Sequence, residues 1–227
     1  MRIFILGDST AMTYTQTDAP KAGWGQFFKE HFTPGSEVFN HAIGGRSTKS
    51  FIAEGRLLQV EALLRPDDYV MIQFGHNDNA SSLVWRRTYP ESSYTNNLLL
   101  MACAARQRGA CPVLITPIAQ RVFTPQGDVE DTFADYAQAV RRLARAENIP
   151  LLDHRRETMG LLKALGPEKS KNLYMHLPAG VWSAWPDGLT DNTHTRAEGA
   201  QAFAGLLARC VRESTLPLRF WLKEDAA

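Results

Sequence analysis

Gly7-Asp8-Ser9-Thr10 near the start of the chain and Asp191-Asn192-Thr193-His194 near its end carry residue types suited to nucleophilic chemistry. A serine hydroxyl attacks poorly at neutral pH unless a base removes its proton, and an imidazole does that best when a carboxylate fixes its tautomer. The first segment supplies the hydroxyl of Ser9. The second supplies His194 as the base, with Asp191 three positions earlier, within reach of its second ring nitrogen across a turn. Gly45, in Gly44-Gly45-Arg46-Ser47, and Asn77, in Gly75-His76-Asn77-Asp78, add candidate donors to developing negative charge, together with the backbone N–H of Ser9. Glycine admits close backbone approach, and the Asn side chain offers a neutral amide.

Each segment has a plainer reading when taken singly. Asp-Ser-Thr after a strand is ordinary helix-capping chemistry, Gly44-Gly45 makes a tight turn, and Asn77-Asp78 makes an Asx-turn. Thr193 or Asp191 can open the last helix. A metal reading of Asp191 and His194 with His176 lacks a third ligand at convincing spacing, so neither metal nor organic cofactor is expected. His31, His41 and His154 read as structural, and His76 as shaping the Asn77 loop. Trp85, Trp182 and Trp185 suit either loop packing or a rim on which sugars stack. His76 and Arg46 join these tryptophans as candidate substrate contacts. Arg46, Arg86, Arg87 and Arg121 read as solvated cations, able to pair with an acidic sugar's carboxylate if they flank the site.

Positioning these residues requires a scaffold. Short apolar runs at 2–6, 37–40, 69–74, 113–116 and 151–153 read as strands, and amphipathic stretches at 24–32, 51–64, 94–108, 132–147 and 195–213 as helices. In the fourth helix Phe133, Tyr136, Ala137, Val140, Leu143 and Ala144 recur at three- and four-residue steps on one face. Strands alternating with helices imply an α/β domain with a parallel sheet covered on both faces. Ligands of such sheets sit beyond the carboxyl ends of the strands, where Ser9, Gly45 and Asn77 each follow a predicted strand.

Hydrophobic residues make up 44% of the 227-residue chain, and Lys+Arg 25 nearly balance Asp+Glu 24. Such a balance argues against a nucleic-acid partner. The longest apolar run, Leu98 to Ala105, is far short of the roughly 18 residues that span a bilayer. No linker or repeat divides the chain, so one domain over 1–227 is expected. The N-terminal run is too short for a secretion signal, and Cys103, Cys111 and Cys210 have no CxxC spacing. A cytoplasmic protein with buried free thiols is the expectation. Oligomeric state is not legible.

Ser9, Gly45, Asn77 and His194, in that order, resemble the namesake residues of the SGNH, or GDSL, hydrolase superfamily. Asn40 to Ser47, Glu54-Gly55-Arg56, Ile72 to Asp78, Thr116-Pro117-Ile118, Tyr174 to Gly180 and Trp185 to Gly188 narrow the likeness to its rhamnogalacturonan acetylesterase branch. The resemblance covers nearly the whole chain. It implies a flavodoxin-like, three-layer α/β/α fold with about five central strands, and removal of acetyl groups from pectic sugars by Ser9, His194 and Asp191. The expected oxyanion hole comprises Ser9, Gly45 and Asn77, and the expected partner is an acetylated oligosaccharide. Acetylxylan, another short-chain ester or a thioester is the alternative substrate, and a catalytically dead sugar-binding module the non-enzymatic one.

Overall fold

Ile3, Phe4, Ile5 and Leu6 are fully buried, and this continuous apolar run forms the middle of β1 (Arg2–Gly7), as expected of a strand covered on both faces. The computed structural model describes residues 1–79 and 82–224. After β1 come β2 (Lys21–Ala22), β3 (Glu37–Asn40), α1 (Thr48–Ala53), α2 (Arg56–Glu61) and β4 (Tyr69–Gln73). Then follow α3 (Thr95–Gln107), β5 (Cys111–Ile115), α4 (Ala134–Ala146), β6 (Leu151–Leu152) and α5 (His154–Lys169). The chain closes with β7 (Tyr174–Leu177), β8 (Leu189–Arg196) and α6 (Ala197–Glu213).

The central sheet has five strands in the order β3-β1-β4-β5-β6, every pair parallel. Ile5 sits opposite Asn40 on one side and Met71 on the other. Alternate residues of β1 point to opposite faces. Ile3 and Ile5 join the cluster containing Phe203, Ala204 and Leu207 of α6. Phe4 and Leu6 join Leu98 and Met101 of α3 and Val140 of α4. These are the three layers of a flavodoxin-like fold. The chain reverses its direction of travel across the sheet between β1 and β4, and a crevice opens at such a switch point.

Several elements differ from the sequence pattern. The segment expected as one helix over 24–32 is two 3-10 helices, Trp24–Gln26 and Phe28–His31. Its first N–H is tied to the Thr10 carbonyl at 3.0 Å, and Trp24, Phe28 and Phe32 pack edge to face. The helix expected over 51–64 breaks at Gly55, whose φ of 71° is left-handed, and becomes α1 and α2. A π turn, Pro90–Tyr94, precedes α3. Thr195 and Arg196 belong to β8 rather than to the last helix.

The second sheet, antiparallel in the order β2-β8-β7, and α5 were not visible in the pattern. Pairing in that sheet jumps: Tyr174 faces Thr195, but Met175 faces Asp191. Asn192, Thr193 and His194 therefore bulge out of β8, and a bulge re-aims the side chains it carries. Cys103 and Cys111 are half-buried and only Cys210 is buried, all three as free thiols. Among the described residues no helix is long and apolar enough to cross a membrane.

Candidate active site

Ser9 leaves β1 at its carboxyl end and is 8% exposed. Asp8 shapes the turn that carries it. Its Oδ1 accepts from the Thr10 N–H at 2.9 Å and the Thr10 hydroxyl at 2.7 Å, while the Tyr14 hydroxyl donates to the Ser9 carbonyl at 3.0 Å. Burial alone pushes the Asp8 carboxyl upward. The charge and contact of His76, with the Thr10 donors, more than offset this and hold it below its ordinary value.

The β8 bulge supplies the base. Asp191 Oδ1 accepts from the backbone N–H groups of Thr193 (2.7 Å) and His194 (3.0 Å), which closes the turn on itself. Asp191 Oδ2 lies 2.7 Å from His194 Nδ1, and His194 Nε2 lies 3.0 Å from Ser9 Oγ. Burial works against ionisation of Asp191, but the His194 ring and the two N–H donors outweigh it and lower the carboxyl to about 2. Asp191 is thus a carboxylate at neutral pH and only accepts, so the ring proton resides on Nδ1. Nε2 then presents its lone pair to the Ser9 O–H.

Two loops lie beside this line. Gly45 has φ 77°, a conformation that L side chains rarely adopt. At Gly44 an added Cβ would stand 3.8 Å from that of Ser9, so this turn lies against the hydroxyl. The Asn77 side-chain amide donates one proton to the Arg46 carbonyl at 3.0 Å, and an amide carries a second. The next residue, Asp78, anchors the loop. Its carboxyl accepts from the Thr48 hydroxyl at 2.6 Å and the Thr88 hydroxyl at 2.8 Å, and Tyr136 donates to its carbonyl at 3.0 Å. Full burial raises Asp78 to about 7 against the pull of its threonine donors.

The structure thus brings Ser9, Asp191 and His194 into one hydrogen-bonded line and places Gly45 and Asn77 on loops beside it. The expected substrate contacts fare differently. Arg46 is engaged by Glu54 (3.1 Å) and by the Gly44 carbonyl (2.9 Å). His76 does not face the substrate side: its side chain is 4% exposed, with Nδ1 3.4 Å from Asp8 Oδ2. Burial under Phe133, at 4.7 Å between rings, explains the difference. Trp85 is 55% exposed. Trp182 and Trp185 pair with each other at the tip joining β7 to β8, and among the described residues no ring contact or hydrogen bond ties them to Ser9 or Asn77.

Sequence reasoning missed the clamp on the bulge. Arg121 Nη1 donates to Asn192 Oδ1 at 2.9 Å, and the Arg121 backbone N–H donates to the Asn192 carbonyl at 2.8 Å. His176 Nε2 reaches the same Oδ1 at 2.7 Å, and Gln120 donates to the Thr193 hydroxyl at 2.7 Å. His176, weighed above as a metal ligand, is engaged in this clamp. No spacing rule links positions 71 residues apart, so the sequence carried no signal for it.

Residues 5–202 match a family model described as the GDSL-like lipase/acylhydrolase family. The rhamnogalacturonan acetylesterase RhgT of Bacillus subtilis is 40% identical over 219 residues, covering 96% of this chain and 93% of RhgT. Among solved structures, protein YxiM of Bacillus subtilis superposes with a TM-score of 0.80 at 26% identity, over 95% of this chain and 57% of the longer YxiM chain. Axe2, an acetylxylan esterase from Geobacillus stearothermophilus, shares the fold with a TM-score of 0.67 at 18% identity, over 98% and 96% of the two chains.

Proposed function

We propose, from the premise that the chain belongs to the GDSL-like lipase/acylhydrolase family, that it is a serine esterase removing O-acetyl groups from rhamnogalacturonan-type oligosaccharides. The observation that carries the reading is the unbroken line Asp191–His194–Ser9, at 2.7 and 3.0 Å, facing the Gly45 and Asn77 loops. The substrate class rests on the likeness to RhgT over nearly the whole chain.

In this mechanism Ser9 Oγ attacks the acetyl carbonyl carbon while His194 Nε2 takes the hydroxyl proton. Negative charge gathers on the former carbonyl oxygen, which receives the N–H groups of Ser9 and Gly45 and the free proton of the Asn77 amide. Removing one such donor typically costs about 10²–10³ in turnover. The imidazolium, steadied by the Asp191 carboxylate, gives its proton to the departing sugar oxygen as the C–O bond breaks. Water, deprotonated by His194, then attacks the acetyl-enzyme and releases acetate and the free Ser9 hydroxyl.

The test is acetate release from acetylated rhamnogalacturonan and acetylated xylan oligosaccharides, with Ser9→Ala in parallel. Serine-dependent release from the pectic fragments is expected to exceed that from xylan. Preference for xylan, or release from neither while nitrophenyl acetate is cleaved, rejects the pectic assignment and leaves the esterase. Three free thiols suit a reducing compartment, so we place the action on oligosaccharides inside the cell. Recovery of the activity in the culture medium overturns that placement.

A further inference from the structure

Beside Gly45 stands a cation with no counter-ion among the described residues. Arg86 lies in the connection between β4 and α3, and its Nη1 donates to the Gly45 carbonyl at 3.3 Å. Its Nε is buried with no hydrogen-bond acceptor. Among the described residues no carboxylate lies within ion-pair distance of it. Arg46, on the adjoining turn, is by contrast closed by Glu54 at 3.1 Å, and Arg141 and Arg155 elsewhere in the fold by Asp153 and Asp131. A guanidinium carries five N–H donors and does not deprotonate. One long bond to a neutral carbonyl satisfies little of that capacity.

The surroundings select among ligands. The Arg86 guanidinium carbon lies 5.6 Å from the centroid of the Trp85 ring, and Trp85 is among the most exposed aromatic side chains of the chain at 55%. Exposed indole surface beside a guanidinium whose outer Nη groups carry spare donors suits a pyranose ring bearing a carboxylate: the sugar packs on the indole surface that the guanidinium leaves open, and the carboxylate accepts from the Nη groups. A neutral sugar offers the fork only hydroxyls. Through Gly45 the guanidinium also adjoins the backbone proposed to meet the acyl oxygen, so an anion held there lies alongside the reacting ester.

We propose that Arg86, with Trp85 as its stacking surface, forms a carboxylate subsite that reads a uronate residue at or next to the acetylated sugar. The inference rests on the acetylesterase reading and adds to it the residues that recognise the substrate's acid group.

Two measurements separate the failures of the two ideas. In the first, kcat/KM is measured on acetylated uronate oligosaccharides and on the same oligosaccharides with their carboxyls methyl-esterified, for wild type, Arg86→Gln and Arg86→Lys. The ratio of acidic to esterified substrate is expected to fall about 10–100-fold in Arg86→Gln, as for loss of a charged hydrogen bond, with partial recovery in Arg86→Lys. Parallel losses on both substrates, leaving the ratio unchanged, mean that Arg86 only props Gly45, and the proposal fails. In the second, trigalacturonate competes with nitrophenyl acetate, a reaction that needs no sugar substrate. Competitive inhibition is expected in wild type and at least about 10-fold weaker inhibition in Arg86→Gln. Inhibition equal in both, or absent from wild type, overturns the subsite whatever the natural ester proves to be.

Discussion

Replacing Asp191 by Asn and by Ala should separate two jobs that one carboxylate performs. In Asp191→Asn the amide oxygen can still accept from the Thr193 and His194 N–H groups, now at 2.7 and 3.0 Å, so the bulge keeps its shape. Two charge-assisted bonds become neutral ones, at a cost of about 1 kcal/mol. A chain of this length loses about 2–4 °C of melting temperature per kcal/mol. The amide nitrogen, however, takes the place of Oδ2 and donates toward His194 Nδ1. The ring proton must then move to Nε2, which faces Ser9 Oγ at 3.0 Å and can no longer accept. Enforcing the wrong tautomer in such a triad costs about 10⁴ in turnover, or roughly 5 kcal/mol of barrier. Asp191→Ala also strands both half-buried N–H donors, at about 2–4 kcal/mol in all, and should melt about 4–16 °C lower. The assays are initial rates on nitrophenyl acetate and thermal melts of the three proteins at neutral pH. If Asp191→Asn keeps more than about a tenth of wild-type kcat, or melts as low as Asp191→Ala, the division of labour is wrong.

Asn77→Ala should lower kcat about 10²–10³-fold with little change in KM, because its amide is assigned to the oxyanion rather than to the bound ester; a rise in KM alone would reverse that assignment. Asn192→Ala removes the acceptor shared by Arg121 and His176, and should cost about 1–3 kcal/mol of stability in a denaturant melt. The rate at which a phosphonate labels Ser9 should drop in the same variant. Asp78 gives a pH signature. Its folded value of about 7 lies above the unfolded value near 4, so the folded state binds the extra proton between them. Stability therefore falls as pH rises through that window, by at most about 1.4 kcal/mol per unit, and levels off above it; Asp78→Asn should lack that slope in melts taken from pH 4 to 8. Asp191, lowered to about 2, acts in the opposite sense. Its contribution is present above about 4 and lost as pH falls toward 2, and Asp191→Asn should flatten that acid limb.

The strands that position Ser9 and Asn77 were legible because buried parallel strands are largely apolar, and the loops after them and after the edge strand β3 are polar and rich in glycine. Ile3 to Leu6 and Val70 to Ile72 announce themselves in this way. β8 does not: Leu-Thr-Asp-Asn-Thr-His-Thr-Arg is polar at nearly every position and mostly half-buried, so it has neither alternation nor an apolar run. α5 hid for a related reason. It opens on His154 and Arg155, both fully buried, whose partners are Gln73 (3.2 Å from the ring), the Phe203 carbonyl (2.9 Å) and Asp131. Hydropathy reads such residues as surface. The dyad of Asp191 and His194 was found from its own spacing, whereas the Arg121–Asn192 clamp depends on a meeting that only tertiary packing arranges. The reversed orientation of His76 has the same origin, since its partner Asp8 comes from β1's loop rather than its own.

The Asp191 carboxylate closes the turn of the β8 bulge on the Thr193 and His194 N–H groups and the His194 ring, while the nucleophile and its proposed oxyanion donors all hang from the other sheet. The proton acceptor is therefore a detachable cartridge, seated against Ser9 by β2, Gln120 and Arg121. The stretch between Ala179 and Asp187 lies outside those bonds, whereas Gly188, with φ 75° and no room for a Cβ against the Leu177 carbonyl, is fixed where the strand begins. A protein built so can vary the connection between β7 and β8 while the proton relay stays untouched.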